Sequence, residues 1–511
     1  MRDWLPYEPV SHPRDQDLET DVCVIGTGAG GAVFASELAE AGTRVVLLEQ
    51  GGLYTRRDFT QDEATMMPRL FERGGGRTTD DGGITLLHGR CVGGGTTVNW
   101  AICFDPPGRV LESWREGLGL PAMHLADWRP SLDKVRFVLN VQKMQAEELN
   151  ENARLLIKGA TALGMRGERF EHSRTACLGS GFCILGCAYD RKQSMLVTYV
   201  PRAIRHGATL LAQARATGFE REGPRIRAVL GELTDPSTGT RRRLRVRARH
   251  VAVAAGALGT PALLQRAGLA NASGRLGKNL ALHPTSAVLA IFDHPVRGFE
   301  GIHYGAYVPD LEPEGILIES VFAYPALAAS TMLRGGREAQ RAMSQYDHWA
   351  GGIVLLHDDS RGDVQATGPE GARVRYALNA ADQAKMRKGL LALANIFLAA
   401  GAREVLIPHA ACGPIRSPEE AERVIASLDL SPNRLALFSA HQMGTAAMGR
   451  DPASSVTDGF GRVHGMENLW IADGSLFPTS LGVNPQITIA ALADRNARHL
   501  LAHWQEPAAS L

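Results

Sequence analysis

Gly26-Thr27-Gly28-Ala29-Gly30-Gly31 places glycine at the first, third and sixth positions, a spacing suited to phosphate binding. Gly26 turns the chain out of a strand, Gly28 lets backbone approach a pyrophosphate, and Gly31 permits close helix–strand packing. The phosphates then lie at the positive end of the helix that follows. Glu49, closing the next strand, is placed to accept hydrogen bonds from ribose hydroxyls. This pattern reads as dinucleotide binding and does not by itself separate FAD from NAD. A second glycine cluster spans His88 to Trp100, with Gly93, Gly94 and Gly95 at its centre. A fused flavin ring needs backbone laid flat against it, which favours residues without side chains.

Three further residues could do chemistry together. Cys177, Cys183 and Cys187 form C-x5-C-x3-C with glycines between them, and such thiols can converge on one metal or cluster. The alternative is three reduced or partly paired cysteines that stabilise a loop. Zinc lacks a fourth ligand at zinc-finger spacing. Seven cysteines in all, an odd number in a chain of this size, argue against a disulfide framework.

The elements that position these residues begin with a βαβ unit: a strand over Asp21 to Ile25, a helix from about Gly30 to Ala41, and a strand over Arg44 to Leu48. Gly74 to Thr97 reads as loop with some helix, and 151–165 as an amphipathic helix. A β-rich stretch runs from Ala208 to Ala254, with a hairpin turned by Asp235 to Gly239. Between about 285 and 430 the pattern mixes β-like runs (Gly352 to Leu356, Ala372 to Leu378) with a helix around Ala381 to Ala400. A strand over Leu469 to Ala472 and a helix from about Asn484 close the chain.

With 511 residues the chain exceeds what one core usually supports. Lys plus Arg number 55 against 54 Asp plus Glu, so no net basic field points to nucleic acid or an anionic membrane. The N-terminus lacks the basic and apolar segments of a signal peptide. No apolar run reaches the roughly 18 residues of a membrane span. The expected location is cytoplasmic.

Four blocks, taken in order, resemble the glucose–methanol–choline (GMC) oxidoreductase family of flavoenzymes. They are the fingerprint at 26–31, GRCVGGGTTVNW at 89–100, AGALGTPALLQRAGL at 255–269 with GKNLALHP at 277–284, and HQMGTAAMG at 441–449 with IADGSLFPTSLGVNPQITIAALADR at 471–495. The resemblance covers nearly the whole chain and is weakest between about 285 and 430. It implies an α/β fold: a Rossmann-like FAD-binding domain interleaved with a substrate domain built on an antiparallel sheet with helices. The implied division gives 1–145, 191–284 and 430–511 to FAD, 146–190 to a cysteine-containing insertion, and 285–429 to substrate.

The resemblance also implies site residues. Gly93, Gly94, Thr96 and Asn99 match the block that wraps the flavin. Asp473-Gly474 matches the motif holding the pyrophosphate and ribityl region, and Asn484-Pro485 opens a helix aimed at the flavin pyrimidine ring. Cofactor contacts extend to Thr27, Ala29, Gly30, Arg90, Ala216 and Gly256. Relatives that tether the flavin use a His one or two residues before the tryptophan; Val98 and Asn99 stand there, so FAD is expected to bind non-covalently. His441 matches the catalytic base that removes the hydroxyl proton of an alcohol as hydride leaves for the flavin, and Asn484 its partner on the substrate oxygen. His283 and His464 are read as structural.

Some bacterial FAD-dependent glucose dehydrogenases of this family hold a three-iron, four-sulfur cluster on similarly spaced cysteines. Long-chain fatty alcohol oxidases have a cysteine-rich element there without a cluster being implied. The expected activity is oxidation of an alcohol, with a lean towards a lipophilic one. Oxygen or another carrier accepts the electrons, in some relatives with a small partner subunit. Rival readings are the flavin subunit of an electron-transfer complex acting on a sugar or polyol, and a redox-neutral lyase or isomerase on this scaffold.

Overall fold

The computed structural model describes residues 11–333 and 335–504; the first ten residues of the N-terminal reading lie outside them. The strand Gln16–Ile25 is buried along its second half at Val22, Cys23, Val24 and Ile25. Such an apolar run belongs to a sheet covered on both faces. It pairs in parallel with Val45–Glu49 on one side and Arg241–Val253 on the other, and Val45–Glu49 pairs in turn with Thr209–Ala212.

The strand Arg241–Val253 serves two partners. Its first half runs antiparallel to Arg225–Thr234, across the hairpin at Asp235 to Gly239, and its last residues pair in parallel with Leu469–Ile471. Ala214–Glu222 completes this seven-stranded sheet. The helix Gly31–Glu40 packs against it together with the C-terminal helix Gln486–Ala502. The result is the Rossmann-like α/β arrangement expected of the fingerprint.

An eight-stranded, mostly antiparallel sheet forms the second layer system, centred on Thr285–Ile291, Trp349–Leu356 and Ile316–Ser320. The helices Glu151–Ala162 and Ala380–Ala400 cover it. Glycine lets these two approach: a Cβ at Gly159 would stand 1.9 Å from the Ile396 carbonyl oxygen. The long helix is framed by Asn379, whose side chain accepts from the Asp382 N–H, and by Gly401 in the left-handed region. Short strands from distant segments join this sheet: Ile84–Leu86, Glu168–Arg169 and Leu437–Ser439. Gly74 to Thr97, expected as loop with some helix, therefore also contributes a strand. The two sheets meet around one large cavity.

Candidate active site

The cavity, of about 850 Å³, draws its wall from the fingerprint, from the block at 85–102, and from both sheets. The glycines of the fingerprint divide by function. A Cβ at Gly26 (φ +108°) would lie 2.2 Å from the Ala254 carbonyl oxygen, one at Gly30 1.8 Å from that of Ala472, and one at Gly31 2.1 Å from that of Gly26. These three admit close backbone packing. Gly28 has nothing within 4 Å of its Cβ position and lines the cavity. It is the position where a ligand can come against backbone, at the start of the helix Gly31–Glu40, whose end favours an anion.

Thr27 ties three segments together. Its hydroxyl donates to Glu49 Oε2 at 2.7 Å and accepts from the Gly93 N–H at 3.0 Å. Glu49 Oε1 accepts from the Gly51 N–H, so the carboxyl is fixed in the cavity wall where a ribose is expected. Gly94 lies directly on the fingerprint, its Cβ position 2.8 Å from Gly28 Cα. Thr96 donates to the Gly93 carbonyl and accepts from the Met195 N–H, and Asn99 donates to Gln486 Oε1. Asp473 accepts from the N–H groups of Gly256 and Ser475 and from the hydroxyls of Thr260 and Ser475.

Of the expected cofactor contacts, Gly26, Thr27, Gly28, Ala29, Gly30, Glu49, Arg90, Gly94, Thr96, Asn99, Ala216, Gly256, Asp473, Gly474 and Pro485 line the cavity. Gly31 and Gly93 stand behind it, as a packing position and a left-handed turn. The cradle fits an elongated dinucleotide: an open glycine at a helix N-terminus, a fixed acid at the strand end, and a second backbone surface laid against the first.

His441 and Asn484 line the same cavity. The His441 ring is held by His283, Nδ1 to Nδ1 at 3.2 Å. The Gly482 N–H donates to His283 Nε2 at 2.8 Å, so a neutral His283 carries its proton on Nδ1 and gives it to His441 Nδ1. Neutral His441 then bears its proton on Nε2. Burial holds His441 at a pKa of about 4 and depresses His283 further, with the His441 ring contributing. The chain corrects the sequence expectation in one respect: at neutral pH His441 enters the cavity as a hydrogen-bond donor.

His283, expected to be structural, thus sets the tautomer of His441. It is held in turn by Asp358, whose carboxyl accepts from the N–H groups of Leu282 and His283, the Tyr376 hydroxyl and the Ser480 hydroxyl. The second histidine of the GKNLALHP block was the available signal. His464 bonds Ser455 and the Gly449 carbonyl, away from the cavity.

One wall residue had no motif to mark it. Glu319, in the strand Ile316–Ser320, is 1% exposed and lines the cavity, and neither carboxyl oxygen has a hydrogen-bond partner in the protein. Burial raises its pKa to about 8, opposed by the neighbouring Asn484 amide. Asn484 Oδ1 is likewise buried without a partner.

The three clustered cysteines are not brought to a common metal site. Among the described residues no group of three or more His, Cys, Asp or Glu side chains is arranged to hold a metal ion. The Cys177 thiol accepts from the Gly179 N–H, and that of Cys187 from the Arg191 and Lys192 N–H groups. Burial raises Cys183 to about 12, keeping it a thiol. The segment instead braces the cavity. The Lys192 ammonium, buried, donates to the carbonyls of Thr97, Asn99 and Cys183.

Among the described residues, no helix is long and apolar enough to cross a membrane. The family models for the N- and C-terminal parts of GMC oxidoreductases match residues 67–285 and 358–493. An uncharacterised GMC-type oxidoreductase of Sinorhizobium fredii is 31% identical, over 95% of both chains. A long-chain-alcohol oxidase of Arabidopsis thaliana is 29% identical, over 95% of this chain and 67% of its own. In three dimensions, pyridoxine 4-oxidase from Mesorbium loti superposes with a TM-score of 0.73 at 20% identity, covering 95% of this chain and 99% of that one. Two family models spanning most of the cavity wall, and a relative matched end to end, establish that this chain belongs to the GMC oxidoreductase family of flavoproteins.

Proposed function

We propose that the chain binds FAD non-covalently in this cavity and oxidises an alcohol to its aldehyde or ketone. The observation that carries the reading is the shared wall: the dinucleotide cradle and the His283–His441 pair with Asn484 open into one cavity. FAD, when bound, supplies the acceptor for the hydride that leaves the carbinol carbon. Gly28, Glu49, Gly94, Thr96 and Gly256 would hold its nucleotide and dimethyl-bearing parts, with Asp473 fixing the backbone around them. The N-terminus of the helix Gln486–Ala502 faces the cavity through Pro485 and Gln486 and favours negative charge there.

His441 and Asn484 flank the substrate hydroxyl, His441 through Nε2–H on its oxygen and Asn484 through its amide. The remaining wall is apolar over Val321, Phe322, Leu327, Leu333, Ile353 and Leu355. That lining, with the long-chain-alcohol oxidase among the relatives, supports a lipophilic alcohol over a sugar. The division into a discontinuous FAD-binding part, a bracing cysteine segment and a substrate part at 285–429 belongs to the same proposal. An anaerobic panel of primary and secondary alcohols, followed by flavin absorbance, tests it: lipophilic members should bleach the flavin, and admission of air then separates an oxidase from a dehydrogenase.

A further inference from the structure

If neutral His441 is a donor, the hydroxyl proton of the substrate needs another acceptor. The tautomer is not free to reverse. Moving the His441 proton to Nδ1 would require His283 to accept there, putting its own proton on Nε2 against the Gly482 N–H. The cavity wall holds one carboxyl with both oxygens unengaged by protein, Glu319, and it lies beside Asn484.

A buried carboxyl without partners costs stability and calls for a reason. Nothing in the packing of its strand requires it. Tyr307 stands opposite on one flanking strand and Ile353 on the other. Tyr304, whose own pKa is pushed up by burial and by Glu319, is the neighbouring titratable group, and His441 lines the cavity with it. Neither Tyr304, Tyr307 nor His441 carries charge at neutral pH, and no cation draws Glu319 into an ion pair.

We infer that Glu319 is the catalytic base of this enzyme, accepting the hydroxyl proton while His441 donates to the same oxygen. The inference rests on the alcohol-oxidation reading. The O–H bond breaks with its proton passing to a Glu319 oxygen and its electron pair forming the C=O bond. The C–H bond breaks with both electrons leaving as hydride to the flavin. The substrate hydroxyl is matched on both sides: its oxygen receives the Nε2–H, and its hydrogen meets the one acceptor the wall leaves unfilled.

The two candidate bases predict different pH profiles. A base with the pKa of His441, about 4, gives a rate of flavin reduction that is flat above about pH 5. Glu319, near 8, gives a rate that rises tenfold per pH unit and levels above that value. Single-turnover reduction by the best alcohol of the panel should be followed from pH 5.5 to 9.5 in the holoenzyme and in Glu319→Gln and Glu319→Asp. The expected result is a rising limb in the wild type, no limb and a loss of about 100-fold or more at high pH in Glu319→Gln, and a limb restored in Glu319→Asp.

Infrared difference spectra give a readout apart from turnover: a protonated-carboxyl band that disappears near pH 8 in the wild type and is absent from Glu319→Gln. A flat wild-type profile, a Glu319→Gln enzyme that keeps the limb, or a carboxyl band insensitive to pH overturns the assignment. A wild type inert towards every alcohol sinks the parent reading instead, before any variant is compared.

Discussion

At the scale of single residues, glycines that look alike in sequence divide once their surroundings are known. Gly28→Ala meets no protein atom within 4 Å, whereas Gly30→Ala drives its Cβ to 1.8 Å from the Ala472 carbonyl oxygen. Gly28→Ala should therefore melt like the wild type yet bind FAD about tenfold or more weakly, the methyl intruding on the ligand alone. Gly30→Ala should lose about 3 kcal/mol of stability. Thermal unfolding paired with FAD titration of the apoprotein checks both. Glu319 makes a second residue-scale prediction. Its folded pKa lies above the unfolded value of 4.5, so the folded state keeps a proton that the unfolded chain loses. Stability is fully present below about pH 4.5 and falls as pH rises through about 8, by at most about 1.4 kcal/mol per unit. Glu319→Gln should flatten that decline between pH 5 and 8, read from unfolding midpoints. The fingerprint, Glu49 and His441 were legible because fixed spacing ties them to known chemistry. Glu319 was not: within Ile316-Leu317-Ile318-Glu319-Ser320 it reads as one polar residue in a core strand, and only strand pairing brings it to Asn484.

At the scale of elements, the long ones announced themselves. The helix Ala380–Ala400 and the strand Arg241–Val253 carry enough residues for apolar pattern and end signals to be read, and the hairpin at Asp235 to Gly239 was visible in its turn residues. Strands of two or three residues, such as Ile84–Leu86 and Leu437–Ser439, show no periodicity, and their place in the second sheet is set by tertiary pairing. The cysteine-containing segment illustrates the same limit. Its spacing left a cluster and a braced loop both open, and the structure uses it as a platform for Lys192. That ammonium holds the Thr97 and Asn99 carbonyls of the flavin-side block, and no carboxylate pairs with it among its hydrogen bonds. Lys192→Met removes three charge-assisted bonds and leaves buried carbonyls without a donor. We expect a loss of about 3 kcal/mol and release of FAD at lower temperature, seen as an earlier rise of flavin fluorescence on heating.

At the scale of the molecule, two sheets with separate cores supply opposite walls of one cavity. The nucleotide-binding sheet brings the cradle and, through the segments after Leu469–Ile471, Asp473 and Asn484; the antiparallel sheet brings Glu319 and the apolar lining. His441 follows the strand Leu437–Ser439 of the second sheet, while Asn484 precedes the helix packed on the first, so the proposed chemistry occurs where the layers face each other. This explains why the class of enzyme was readable and the alcohol was not: the motifs sit on the cofactor side, and the substrate side is built from ordinary core strands. The most direct measurement is anaerobic mixing of the FAD-loaded enzyme with a lipophilic primary alcohol under flavin absorbance. Full bleaching with one equivalent of aldehyde formed per flavin is the predicted result. A flavin that stays oxidised against the whole alcohol panel, in protein that holds FAD stoichiometrically, would contradict the account.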